Sequence, residues 1–189
     1  MTVILGEEHD LIAALHRGTL GAPPWQEFLE QLRRRTGADY ARLFFQGDHD
    51  WLQSIRIPAT GSGAGDINDI YQQEFGQANT LPHKAMRLNR VYSLDDFLDL
   101  NDPRHVRFKT LVMQDADIRF ARNMRVAEPN GGQIWISLGR KTSDFSASDG
   151  ALLGSLANHL AIAAGTHAEL ERQRLKAGIS ADAIMRLNF

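Results

Sequence analysis

Cysteine is absent from the whole chain, and its absence excludes disulfides, thiolate nucleophiles, iron-sulfur clusters and thiolate zinc sites. Long apolar runs are missing too: nothing approaches the roughly 18 consecutive residues that a membrane span needs. The opening "MTVILGEEHD" has neither the basic stretch nor the small-residue cleavage site of a secretion signal. The expectation is a cytoplasmic chain with no membrane partner. An excess of basic charge is likewise lacking, since a net charge of -2 and a pI near 6.4 give no general attraction for nucleic acid. The one dense basic run, Arg33 to Arg35, falls at the end of a predicted helix, where three cations face the negative end of the helix dipole. No nucleophile elbow, phosphate-binding loop or dinucleotide fingerprint occurs, and "GSGAG" at 61–65 lacks the parallel strand and crossover that phosphate binding requires. Histidines stand at 9, 16, 49, 83, 105, 159 and 167 without metal-ligand spacing, so His159 and His167 are expected to pack rather than ligate. With no nucleophile, base and orienter to assemble, the chain is expected to be neither an enzyme nor the holder of a cofactor or metal.

What is present is a pattern of elements fitting one domain of 189 residues. Leu11, Ile12 and Leu15 at helical spacing predict a short first helix over Glu8 to His16, stopped by Gly18. "APPWQEFLEQLRRRTGA" predicts a second, with Trp25, Phe28, Leu29 and Leu32 on one face and Gly37 as its C-terminal glycine. Tyr40 to Gln46 and Trp51 to Ile57 predict a hairpin, with Leu43 and Phe45 on one face and Tyr40 and Phe44 on the other. "ATGSGAGD" reads as a loop, Asp66 to Phe75 as a helix, Val91 to Leu94 as a short strand, and Pro103 to Met113 as a helix capped by Asp102.

The register of a second hairpin follows from its side chains. Ile118, Phe120, Met124 and Val126 share one face of its first strand, and Ile134, Ile136 and Leu138 share one face of the next. Opposed residues lie on the same face, so aligning these sets requires an odd loop of three or five residues across "EPNGGQ". A Pro-Asn-Gly loop with a glycine bulge satisfies this. Trp135 then turns to the opposite face, near Arg125. A long helix begins at Ser146, with Asp149 as the acidic member of a capping box, and runs to about Ala177. Leu153, Leu156, Leu160, Ala163, His167 and Leu170 alternate by three and four, the seam of a heptad pattern, which places Leu156, Leu160, Ala163, His167 and Leu170 at an expected homodimer interface.

Arg122 breaks its pattern, falling on the apolar face between Phe120 and Met124. A buried arginine needs an anionic or carbonyl partner. Three readings stay open: an anchor for an anionic small molecule, a bulge turning the side chain outward, or a structural pair with one of the acids in Asp95 to Asp102. Trp51, Tyr71, Phe75, Phe97, Phe108 and Phe120 are the aromatics placed to line a small-molecule cavity. His105 and Arg122 complete that candidate set.

The element order resembles a GAF or PAS-like sensory domain, which implies an α+β fold: a central antiparallel sheet with N-terminal helices and a long C-terminal helix. The segments "W..FL..L....GA..A.L" from Trp25 to Leu43, "VYSLDDF" from Val91 to Phe97, and "F...D..LL..L..HL..A" from Phe145 to Ala161 are similar to the N-terminal part of LuxR-type helix-turn-helix regulators. The likeness covers about Trp25 to Leu175. It implies an N-terminal helix and linker at 1–22, a sensory domain at 23–177, and a linker toward a further module at 178–189. It further implies a signal-input and dimerisation role, with a small-molecule ligand and with DNA reached only through a domain absent from these residues; a ligand-free interaction and dimerisation module, or the sensor domain of another signalling protein, is the alternative reading. The chain lacks the Asn-Lys-Phe-Asp-Glu signature of cyclic-nucleotide-binding GAF domains, and without cysteine it cannot be a thiol-linked bilin photoreceptor.

Overall fold

The computed structural model describes residues 2–46, 60–61, 86–96, 98–110, 117–127 and 131–187, with side chains for those from residue 8 to residue 178 other than Gln46. Two helices come first: α1 at Thr2–Arg17 and α2 at Gln26–Arg35. Strands β1 at Tyr40–Gln46, β2 at Thr60–Gly61 and β3 at Val91–Ser93 follow, then α3 at Pro103–Phe108, β4 at Phe120–Ala127 and β5 at Gln133–Arg140. Helices α4 at Ala147–Ser155 and α5 at Ala157–Leu187 close the described chain. The strands form one antiparallel sheet in the order β2-β1-β5-β4-β3, so the α+β expectation holds.

The β4–β5 register is the one the apolar pattern requires. Met124 faces Ile136 and Val126 faces Ile134, so Ala127 pairs with Gln133 and five residues form the loop. Gly131 within it has φ +97, a conformation that glycine adopts without steric cost. The strand starts at Phe120 rather than Ile118, because the chain turns through positive φ at Asp117. Ile118 instead lies over Gly139, where an added Cβ would meet it at 3.0 Å.

One face of the sheet is roofed by helices. Ala41, Leu43, Met124, Val126, Ile134, Ile136 and Leu138 meet Leu11 and Leu15 of α1, Phe28, Leu29 and Leu32 of α2, and Leu153, Leu156, Leu160 and Ala163 of α4 and α5. Burying each large aliphatic side chain there stabilises the fold by roughly 1.5–3 kcal/mol before entropy is counted. The seam expected to meet a second copy is therefore this chain's own core stripe. Leu156, Leu160 and Ala163 are each 1 % exposed, and His167 donates from Nδ1 to the Thr19 carbonyl at 2.9 Å beneath the Trp25 ring. Leu170 is half-buried beside them. Alternate three and four spacing marks any helix stripe laid on a core, so spacing alone could not tell a sheet from a partner helix.

The cap at Ser146 takes the expected form: its hydroxyl accepts from the Asp149 N–H at 3.2 Å, and its own N–H donates to the Asp149 carboxylate at 2.8 Å. Ser146→Ala is expected to cost about 1 kcal/mol in urea unfolding; no measurable change would mean that α4 is held by packing alone. The helix turns at Leu156, then α5 continues for 31 residues, roughly 46 Å at the usual rise per residue.

Two residues of the expected "ATGSGAGD" loop instead pair with β1, Thr60 with Ala41 and Gly61 with Tyr40. The pairing depends on close approach: at Gly61, with φ +105, an added Cβ would lie 2.0 Å from the Asp39 carbonyl oxygen. The Thr60 hydroxyl donates to Glu30 at 2.7 Å, and Arg33 holds the same carboxylate at 2.6 Å while its other arm reaches the Ala38 carbonyl at 3.3 Å. Arg33, in the last turn of α2, thus ties the helix to the residue that precedes Asp39 and β1. The hydrogen bonds from Arg33 and Thr60 lower the Glu30 carboxyl from 4.5 to about 2. A depressed folded-state pKa means stabilisation that is complete above about 4.5 and is lost as pH falls toward about 2. Glu30→Gln is expected to flatten that limb of the acid-unfolding profile; an unaltered slope would assign the acid sensitivity to other carboxylates.

Candidate functional site

Strand alternation turns a second set of side chains to the face away from the helices. They are Tyr40, Arg42 and Phe44 of β1, Gln133, Trp135 and Ser137 of β5, Asn123 and Arg125 of β4, and Tyr92 of β3. This face is not a solvated exterior: Trp135 is 2 %, Tyr40 6 % and Arg42 7 % exposed. Phe44 and Trp135 oppose one another across the β1–β5 ladder and stack with ring centroids 6.1 Å apart and planes 11° from parallel. The Arg42 guanidinium lies 4.7 Å from the Phe44 centroid, and that of Arg125 lies 6.0 Å from the Trp135 ring. Beside this aromatic wall the polar groups are incompletely matched. Ser137 donates to Asn123 Oδ1 at 2.7 Å, while Asn123 Nδ2 is buried without a partner among the described residues. Arg125 donates to the Gln133 side chain at 3.3 Å and to the Met86 carbonyl, and its Nε is buried without an acceptor. An aromatic floor with convergent, unsatisfied polar groups is the chemistry of a small-molecule site.

The candidate residues distribute across both faces. Trp51, Tyr71, Phe75 and Phe97, together with the strand at Trp51 to Ile57, the helix at Asp66 to Phe75 and the end of the helix to Met113, lie outside the described residues. His105 and Phe108 are buried on α3, and His105 Nδ1 accepts from the Asp99 N–H at 2.9 Å. Phe120 packs against the helix-side core. Arg122 also points to the helix side, and its guanidinium spans both Asp144 oxygens at 3.0 Å while lying 5.5 Å from the Phe145 ring. Burial works against the charged form of Asp144, but the hydrogen bonds from Arg122 and the Phe145 N–H outweigh it and hold the carboxyl below its ordinary value. The arginine is therefore paired, with Asp144 in place of the acids from Asp95 to Asp102.

Arg125, Asn123 and Ser137 were absent from the sequence-derived set because they occupy the face that a strand with one apolar side normally shows to water. The register held the missing signal: Arg125 and Trp135 are direct partners, and a tryptophan on an outward position marks a covered face. Away from the sheet, an open cleft of about 530 Å³ lies where α1 meets α2, between Arg17, Pro23, Trp25 and Glu27. Its charged rim is self-paired, Arg17 to Glu27 at 3.3 Å. His16 and His159 join α1 to α5 through ring nitrogens 3.2 Å apart.

No protein-family model matches the chain, and no curated protein matches it. Among solved structures it is similar to the N-acylhomoserine lactone dependent LuxR family transcription factor CepR2 from Burkholderia cenocepacia. That likeness covers 92% of this chain and 99% of that one, at 16% identity and a TM-score of 0.61. It is similar as well to SdiA from Escherichia coli, at 11% identity and a TM-score of 0.50, over 80% of this chain and 60% of that chain. At these identities the likeness establishes a shared fold.

Proposed function

We propose that the chain is the signal-input domain of a cytoplasmic LuxR-type transcriptional regulator, with a small molecule bound against the Phe44–Trp135 face of the sheet. The observation that carries the reading is the match to CepR2 along nearly the whole of both chains. The GAF or PAS-like character read from the element order belongs to the same proposal: terminal helices cover one face and leave the other for a ligand. DNA is reached only through a further domain, and the 178–189 tail is the linker toward it.

The relay is proposed to run through strands that serve both faces. Asn123 and Arg125 alternate with Arg122 along β4, and Ser137 shares β5 with Arg140. Arg122 holds Asp144 and the Phe145 carbonyl, and Arg140 holds the Asp144 carbonyl at 2.9 Å and meets Asp149 at 3.5 Å. Both arginines thus grip the segment that starts α4, so a ligand that favours one strand position can bias the helix that leads out. A homodimer formed through α5 would use its outward and distal side chains, Ile162 and Leu175, 59 % and 46 % exposed, because the predicted seam is buried within the chain.

Native mass spectrometry of the purified chain, before and after denaturation, tests the reading. The expected spectrum is a dimer carrying a small mass that denaturation removes. A monomer without added mass, unaltered by N-octanoyl homoserine lactone, would overturn both the sensory and the dimer assignments.

A further inference from the structure

Arg125 is a half-buried cation that meets no counter-charge among the described residues. Its hydrogen bonds reach two neutral oxygens, on Gln133 and Met86, and its buried Nε–H meets none. None of the described strand residues on its face is acidic. Three acids on the neighbouring segment are engaged locally: Asp96 accepts from the Ser93 N–H at 2.7 Å, Asp99 from Asn101 at 2.9 Å, and Asp102 from Arg104 at 2.6 Å. Removing a guanidinium from water without an anion is unfavourable, and a planar fork of N–H donors matches a carboxylate better than any neutral group. Two positions along the same strand and on the same face, Asn123 presents a second buried nitrogen donor without a partner. Between them and Phe44, Trp135 supplies an apolar wall that is almost wholly removed from solvent.

Resting on the proposed sensory reading of this face, we infer that the cognate ligand is an organic carboxylate, its anionic group held by Arg125 and Asn123 and its planar apolar body laid on Trp135 and Phe44. The shared fold with a lactone-dependent regulator does not bring a neutral ligand with it, because an acyl lactone offers no charge to satisfy Arg125.

The test is isothermal titration calorimetry of the full chain with three probes: cinnamate, its neutral near-isostere cinnamamide, and N-octanoyl homoserine lactone. Cinnamate is expected to bind at least roughly tenfold more tightly than cinnamamide, the range of one charge-assisted hydrogen-bond pair. Arg125→Gln should bring the two affinities together, while Arg125→Lys should restore part of the preference. Asn123→Asp, which supplies Arg125 with an internal carboxylate, should weaken cinnamate and spare cinnamamide. Equal affinities in the unaltered chain would overturn the inference without the need for any variant to fold, and a preference that survives in a folded Arg125→Gln variant would overturn it as well. Lactone binding with no cinnamate binding would sink the carboxylate and leave the sensory reading standing. Failure of all three probes at millimolar concentration would remove both.

Discussion

Trp25→Ala is expected to lower the unfolding free energy by about 3–5 kcal/mol, the range for truncating a fully buried large aromatic side chain. Trp25 is 1 % exposed, and four elements meet at its ring: Phe45 of β1 at 5.9 Å and His167 of α5 at 4.7 Å, with α1 above and α2 starting from it. Its indole N–H donates to the Leu15 carbonyl at 2.9 Å. That carbonyl belongs to the last turn of α1, where no intrahelical donor remains, so the tryptophan also caps a helix end. The approach is tight enough that an added Cβ at Gly18 would lie 2.5 Å from the ring. Trp25→Phe keeps most of the packing and orphans the carbonyl, which should cost about 1–3 kcal/mol. Urea denaturation of both variants separates the two contributions. A loss below about 1 kcal/mol for the alanine variant would mean that the α1–α2–α5 junction collapses around the gap. Domain stabilities of about 5–15 kcal/mol make the expected loss a large share of the total.

Much of this junction could be read from sequence, because the signals are local. Trp25, Phe28, Leu29 and Leu32 repeat within three turns, Gly37 ends the helix with φ +57, and Ser146 and Asp149 form their cap across three residues. The β4–β5 register was legible for a related reason: a five-residue loop and period-two faces leave one alignment that buries every apolar side chain. What escaped the sequence depends on distant partners. Arg122 meets Asp144, 22 residues on, and Thr60 meets Glu30, 30 residues back. The stripe from Leu156 to His167 shows the limit of periodicity, since a helix face has the same spacing whether it lies on its own sheet or on a second copy. The candidate site was least legible, because Asn123 and Arg125 read as ordinary outward polar residues until Trp135, between them and Phe44, proves to be buried.

Arg140→Ala is expected to destabilise by about 2–3 kcal/mol and, unlike Trp25→Ala, to loosen one locus selectively. The side chain is 14 % exposed and connects three elements. One terminal nitrogen donates to the Thr36 carbonyl at the end of α2, where a cation also complements the helix dipole, and the other donates to the Asp144 carbonyl at 2.9 Å. The guanidinium sits 4.3 Å from the Phe145 centroid and reaches Asp149, the acidic half of the α4 cap, at 3.5 Å. Truncation removes the donor from two carbonyls and the counter-charge from a carboxylate that is itself only 18 % exposed. Asp149 keeps its bonds to Ser146, so α4 should still form but detach more readily from the sheet. Amide hydrogen exchange checks this: the Gly150 N–H, bonded to the Ser146 carbonyl at 3.2 Å, should exchange faster in Arg140→Ala, while the Met124 and Ile136 amides at the centre of the sheet slow or quicken only with global stability. Arg140→Lys keeps the charge but cannot serve both carbonyls and Asp149 at once, so it should recover less than half of the loss. Uniform acceleration across sheet and helix would show that Arg140 supports the whole fold, and that the strand-to-helix relay proposed for ligand signalling does not pass through it.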